Sequence, residues 1–311
     1  VVAEAGVDGG NGGASVVMDT VTANDNYSIV TYDGFNSSSG YGIVADVYAY
    51  GGAAYLALNN IVANGNYDDN VFASTEASED RGAGDATTIL NDIQANGSID
   101  ADGIDAFASN YGPSGKALVQ MTDVEANDNH GYGIDYAYAE AVGSQTMGFP
   151  PPSGDASAEV IPTRVTGNNN GDDGLWVWAS SEGGAASVTL DGCTANNNAG
   201  GGDGAYVFIS AGGTATASLD VKDSVFTGND SYGIEIYAKG GSGQALNMGD
   251  SGGGRDPGNN SIFGNGNGAV NNAGSGTVTA SGNWWGTTTP GAGLFNGSVD
   301  YTPWLNSDPN P

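Results

Sequence analysis

VTGNNN at 165–170 leads into DGLWVWAS at 173–180, a Gly183-Gly184 turn and ASVTLDG at 186–192. The next residues repeat that order: CTANNN at 193–198, DGAYVFIS at 203–210, Gly212-Gly213, and ASLDVKD at 217–223. A third copy opens with FTGNDS at 226–231 and YGIEIYA at 232–238. Each unit reads as three short strands separated by turns. Self-similarity at a period of a few tens of residues is the signature of a stacked repeat fold.

The same unit extends in both directions. Its anchor is an apolar residue, any residue, Ala or Gly, then Asn, at Asn24, Asn64, Asn96, Asn127, Asn168, Asn196, Asn229 and Asn265. Successive anchors are 40, 32, 31, 41, 28, 33 and 36 residues apart, so length variation falls in turns. An alternating strand precedes each anchor, at 15–19, 54–59, 87–91, 117–123, 158–163, 186–191, 217–222 and 276–280. A Gly-led strand follows most of them, at 42–49, 103–108, 133–139, 174–179, 204–209 and 233–238, with weaker members at 71–74 and 269–272. No segment carries helical periodicity. Strands without crossover helices fit a coil that climbs one strand spacing per turn and stacks into parallel sheets. The expected fold is all-β, a solenoid of about nine coils with three strands per coil, roughly 40 Å long at ~4.8 Å per coil. Residues 1–282 form the coils and 283–311 a C-terminal capping segment.

Composition narrows the function. The 311 residues include 54 Gly, 36 acidic side chains and 6 basic ones, a net charge of -30. Periodic Val, Ile, Leu and aromatic residues give each repeat something to bury, which argues against disorder. A strongly acidic surface repels nucleic acid and anionic lipid. It suits a salty, cation-rich exterior, where counter-ions screen the carboxylates. No run reaches the ~18 apolar residues needed to cross a bilayer, so no membrane insertion is expected. No signal peptide is visible, which reads as a mature or cytosolic chain. The single cysteine excludes an internal disulfide. Cys193 aligns with Val21, Ile61, Ile93, Val124, Val165, Phe226 and Ile262, and so reads as a small core hydrophobe.

Over essentially its full length the chain resembles right-handed parallel β-helix repeat proteins of bacterial and archaeal surfaces, the pectate-lyase-like β-helix superfamily. The tail strengthens the likeness: GNWWGTTTPGAG at 282–293 and VDYTPWL at 299–305 look like the end of such domains in secreted and surface proteins. The resemblance implies a right-handed coil and an extracellular or cell-surface location. It leaves function open, because the fold carries lyases, hydrolases, adhesins and structural proteins.

Alternation along the Gly-led strands sets the candidate sites. Ile104, Leu175, Ala205 and Ile234 point inward; Asp105, Trp176, Tyr206 and Glu235 point outward. Phe107, Trp178, Phe208 and Tyr237, joined by Tyr48, also point outward. Together they make an exposed aromatic stripe, and stripes of that size mark contacts. It suits a lateral seam between rods, a sugar-stacking platform, or a surface covered by long turns. The anchor asparagines stack coil on coil as a structural ladder. Trp284, Trp285 and Trp304 close the last coil, whereas the first has no comparable cover.

Enzymes of this fold need a base beside carboxylate-held calcium, or clustered carboxylates. Lys116, Lys222, Lys239, Arg81, Arg164 and Arg255 sit in turns or strand ends, away from any visible outward carboxylate cluster. Asp172-Asp173 and the lone His130 read as turn residues. No cofactor is required. Calcium is compatible with the oxygen-rich turns Asp68-Asp69-Asn70, Asp100/Asp102 and 168–173, but no EF-hand spacing is present. Asn-x-Ser/Thr sequons at Asn26, Asn36, Asn96, Asn229, Asn259 and Asn296 matter only on a glycosylated chain. The expected role is an extracellular, non-enzymatic structural protein that partners with itself in a filament, sheath or surface layer. The alternative is a carbohydrate-active enzyme, lyase or glycoside hydrolase, or a glycan-binding adhesin whose partner is a polysaccharide.

Overall fold

Strand pairing alone fixes the architecture. The structure, a computed structural model, describes residues 1–7, 12–26, 29–32, 35–38, 40–78, 84–112, 114–142, 156–240, 243–249 and 258–311. Two long parallel sheets run through it. The first takes Val2–Val7, Ile43–Tyr50, Val71–Ser78, Ile104–Asn110, Ile134–Ala141, Leu175–Ser181, Ala205–Ala211, Tyr232–Lys239, Gly268–Asn272 and Phe295–Asn296. The second takes Ala14–Thr22, Ala54–Val62, Ala86–Gln94, Lys116–Glu125, Ser157–Thr166, Ala186–Asp191, Thr216–Lys222, Gly243–Asn247, Val278–Thr279 and Val299–Asp300. Neighbours in each sheet lie one repeat apart in sequence, as in a parallel solenoid. The described residues hold no α-helix, only a short 3₁₀ turn at Ala292–Leu294. One antiparallel pair, Ile29–Tyr32 with Phe35–Ser38, stands outside both sheets.

The expected third strand is the continuation of the second-sheet strand past a corner. One left-handed residue per repeat turns that corner: Thr20, Asn60, Asp92, Asp123, Arg164, Gly192, Asp223 and Asn259, with φ between 51° and 63°. Beyond it the chain stays in the same ladder, and separates as its own short strand at Thr194–Asn196, Val225–Thr227 and Ser261–Phe263.

Between the sheets lies a dry core. Leu175–Ser181 alternates buried and half-buried along its length, the period-two signature of a strand with one face inward. Ile104, Val177 and Ile236 are fully buried, each contributing roughly 1.5–3 kcal/mol of transfer energy. The tail adds a last short strand to each sheet, Phe295–Asn296 and Val299–Asp300. Trp285 is buried and meets Phe295 edge-on at 4.9 Å, and Trp304 packs beyond Tyr301. Trp284 instead continues the ladder, bridging Ser261.

Two asparagine columns flank a second left-handed turn residue. In the outer column each coil's Oδ1 accepts the next coil's backbone N–H, from Asn24 through Asn64, Asn96, Asn127 and Asn168 to Asn196. It then passes to Thr227. The inner column holds Asn26, Asn66, Ser98, Asn129, Asn170, Asn198, Asn229 and Asn265. Asn229 and Asn265 therefore stand in the inner column, two residues further along the turn than the anchor spacing implied. The register slips for the same reason at Cys193. It pairs with Ser224, whose hydroxyl accepts the Cys193 N–H at 3.1 Å, while Phe226 lies opposite Ala195 and Ile262. Burial pushes the Cys193 thiol up to about 12, which leaves it an inert core group. Asn229 is buried, which closes its sequon to modification.

Candidate functional site

The outward face of the first sheet carries the chemistry. Register sorts its side chains into files running along the stack. One file passes Phe72, Asp105 and Asp135, is interrupted at the next coil by a register shift, and resumes through Trp176, Tyr206 and Glu235. The next passes Asp46, Ser74, Phe107, Tyr138, Trp178, Phe208 and Tyr237. Tyr48 is not in that stripe. It pairs with Glu76 in a third file, because the Ile43–Tyr50 strand places Asp46 where an aromatic was expected.

The aromatic files stack on themselves. Trp178 and Phe208 lie 3.7 Å apart between centroids at 18°, and Phe208 and Tyr237 lie 5.3 Å apart at 8°. Tyr138 meets Trp178 at 5.8 Å and Phe107 at 5.9 Å. Such pairs contribute about 0.5–1.5 kcal/mol beyond area burial. Their geometry spends ring faces on one another and leaves ring edges outward. Tyr41, Phe72, Tyr132, Tyr136 and Tyr138 also join the stripe and were not singled out in the sequence.

Beside the aromatics lies a carboxylate cluster that the sequence did not reveal. Asp102, Asp105 and Asp135 bring one carboxylate oxygen each within 4.8 Å of one another. Asp102 precedes the Gly103-Ile104 strand start, and Asp105 is the first outward residue of that strand. Asp135 is its register partner one coil on. A bulge follows directly, with Tyr136 as the extra residue at φ 48. The expectation of no outward carboxylate cluster is thus corrected: two copies of Gly-Ile-Asp, 103–105 and 133–135, land side by side.

A backbone ladder positions the acids. Asp69 Oδ1 accepts the Asp102 N–H at 3.2 Å, and Asp102 Oδ1 accepts the Tyr132 N–H at 2.7 Å. Further along, Asp173 Oδ1 accepts the Asp203 N–H at 2.5 Å and Asp203 Oδ1 the Tyr232 N–H at 2.7 Å. Burial raises Asp69 to about 7, with the Asp102 and Asp68 charges adding to it. Burial likewise raises Asp105 to about 9, Asp135 to about 8 and Asp173 to about 8. The described cations Lys116, Arg164 and Lys222 pair elsewhere, with Glu159, Asp123 and Asp191. Lys239 lies in the third file, opposite Ser210. Arg81 and Arg255 lie outside the described residues. His130 is exposed in its turn.

No family model matches this chain, and no curated protein or solved structure matches it.

Proposed function

We propose that this chain is an extracellular, right-handed parallel β-helix of about nine coils, a structural surface protein that assembles with copies of itself. The observation that carries this reading is the self-stacked aromatic ridge on the first sheet. A sugar platform needs a free ring face to meet the apolar face of a pyranose. Here Trp178, Phe208 and Tyr237 cover one another, and what remains is a straight ridge of ring edges. A flat protein surface covers such a ridge well, and aromatic residues dominate interface energetics. With a net charge of -30, copies repel one another unless ions screen them, so association should rise with salt.

Sedimentation and electron microscopy across a salt series test the reading. Tyr237, 40% exposed, is the least disruptive place to break the seam. The wild type should form rods or laterally joined particles that Tyr237→Lys abolishes. Monodisperse monomer at high protein and salt concentration would overturn the proposal.

One observation favours a second reading, a glycan-active protein: the three carboxylates lie next to Tyr136 and Trp176, whose centroids are 4.2 Å apart. Against it, a glycosidase pairs one protonated with one ionised carboxyl, whereas burial raises all these acids together. Release of reducing or unsaturated ends from polysaccharide, lost in Asp135→Asn, would promote this reading over the first.

A further inference from the structure

We propose that Asp102, Asp105 and Asp135 hold one hard divalent cation of the calcium type, which ties two successive coils of the first sheet together. The site does not depend on the assembly reading above.

Spacing is the first argument. Oxygens that share one calcium at about 2.4 Å can stand no more than about 4.8 Å apart. The three carboxylates meet that limit pairwise. The donor set is all oxygen, without His or Cys, which suits calcium-class ions and not zinc or copper. Asp69 and Asp68 lie near enough to Asp105 for their charges to act on it.

The second argument is independent of the clustering. Asp135 is only 7% exposed, and its Oδ1 has no hydrogen-bond partner. Asp105 Oδ1 is buried and equally unpartnered. Buried carboxylate oxygens left without a donor or ion carry a large desolvation penalty. The backbone donors in reach leave both of these oxygens unmet: the Tyr132 N–H is directed to Asp102 Oδ1, and the Tyr136 N–H reaches the Asp135 carboxylate without giving its Oδ1 a partner. The described Lys and Arg side chains that form ion pairs do so on the second sheet and its corner. A proton shared in the Asp102–Asp135 contact satisfies only part of the need and leaves Asp105 aside. A divalent cation answers all three groups at once.

Register explains why, among the described residues, the site stands here. Asp105 and Asp135 are direct partners across the coil step, and the Tyr136 bulge ends the acidic run. One coil back the position holds Phe72, and one coil further the register breaks at the bulge, where Tyr136 packs on Trp176 at 4.2 Å. Aromatic walls thus bound the carboxylates along the stack, and Tyr132 and Trp176 lie close enough to each other, 5.4 Å, to serve as a common antenna.

Terbium, a calcium-sized luminescent ion, uses that antenna as a reporter. In the full chain, excitation of Tyr and Trp should give sensitised terbium emission that calcium displaces, and calcium should raise the melting temperature. Asp105→Asn and Asp135→Asn should each weaken binding on the order of tenfold or more, since calcium affinity follows ligand charge. Asp128→Asn, in an exposed turn, should leave it unchanged. Circular dichroism checks that each variant folds, and should Asp135→Asn not fold, the half-exposed Asp105 decides. Binding unaltered in Asp105→Asn, or signal lost equally in Asp128→Asn, means diffuse surface attraction and overturns the site. Absence of calcium-displaceable emission in the wild type overturns it as well.

Discussion

Removing one inner-column asparagine should cost far more than removing its outer-column neighbour. Asn170 is 1% exposed, and its Oδ1 accepts both the Asn129 N–H at 3.0 Å and the Asn129 Nδ2–H at 3.1 Å. Its own Nδ2 donates to Asn198 Oδ1 at 3.2 Å, but that oxygen keeps the Asn170 backbone N–H at 3.0 Å. Asn170→Ala therefore orphans two buried donors on Asn129. At about 1–3 kcal/mol each, the loss is about 2–6 kcal/mol. In the outer column, Asn127 Oδ1 accepts the Asn168 N–H at 2.9 Å in a half-buried turn. Water can replace that bond, so Asn127→Ala should cost about 0.5–1.5 kcal/mol. Denaturant unfolding followed by far-ultraviolet circular dichroism measures both. With a slope of about 1–3 kcal/mol per molar urea, Asn170→Ala should move the midpoint by about 1 M or more. Equal midpoints for the two variants would refute the division of the turn into a dry column and a wet one.

Three further outcomes follow from the same structure. Asp69, Asp105, Asp135 and Asp173 carry folded values of about 7, 9, 8 and 8 against an ordinary 3.8, and the charges acting on them, Asp68, Asp102, Asp172, Asp203 and Glu235, are all acidic. A carboxyl raised on folding stabilises fully below its unfolded value and loses that contribution as pH rises through the folded one, so in chelator the melting temperature should fall from pH 5 to 9; a flat or rising profile would sink the argument. Cys193 should resist thiol reagents in the native protein and react fully in denaturant; stoichiometric native labelling would place it at the surface. A Cβ on Gly133 would meet Asn170 Nδ2 at 2.5 Å and Gly174 O at 2.6 Å, so Gly133→Ala should destabilise by about 1–3 kcal/mol. Combining it with Asn170→Ala should cost less than the sum of the two, because the amide that collides is then gone; strict additivity in the melts would contradict the contact.

The fold was legible because repetition is redundant. Alternation in 175–181 and in 205–211 says the same thing twice, and a solenoid is the arrangement that lets each copy bury its apolar face on the next. Register was only partly legible, and the reason is local. The sequence FTGN at 226–229 matches the apolar-x-small-Asn anchor, yet its Phe226 lies opposite Ala195, not Cys193. What fixes register is the left-handed corner residue, not the anchor. Asp223 occupies that corner at φ 51, so Ser224 must follow Cys193 in the stack. From there the former apolar position turns polar, and Ser224, Asn260 and Asn283 continue as a buried hydrogen-bonded column. The bulk lost at Ser224 reappears at Phe226, two residues on and on the same inward face.

The carboxylate cluster was hidden by a different cause. Asp105 and Asp135 are thirty residues apart, and each on its own is an unremarkable outward acid. Only the coil step makes them neighbours, and only Asp102, from the turn before the same strand, completes the trio. The Gly-Ile-Asp repeat was the available signal. Reading outward residues as files across coils, instead of along single strands, brings it out. The same reading moves Tyr48 beside Glu76 and brings Tyr138 into the aromatic ridge. In a stacked coil the unit of surface chemistry is the file, since every side chain has its nearest outward neighbours about 4.8 Å above and below it. A like-charged pair in one file therefore calls for a counter-ion or a proton. An aromatic pair needs neither, which is why this face alternates between stretches of ring stacking and stretches of unmet negative charge.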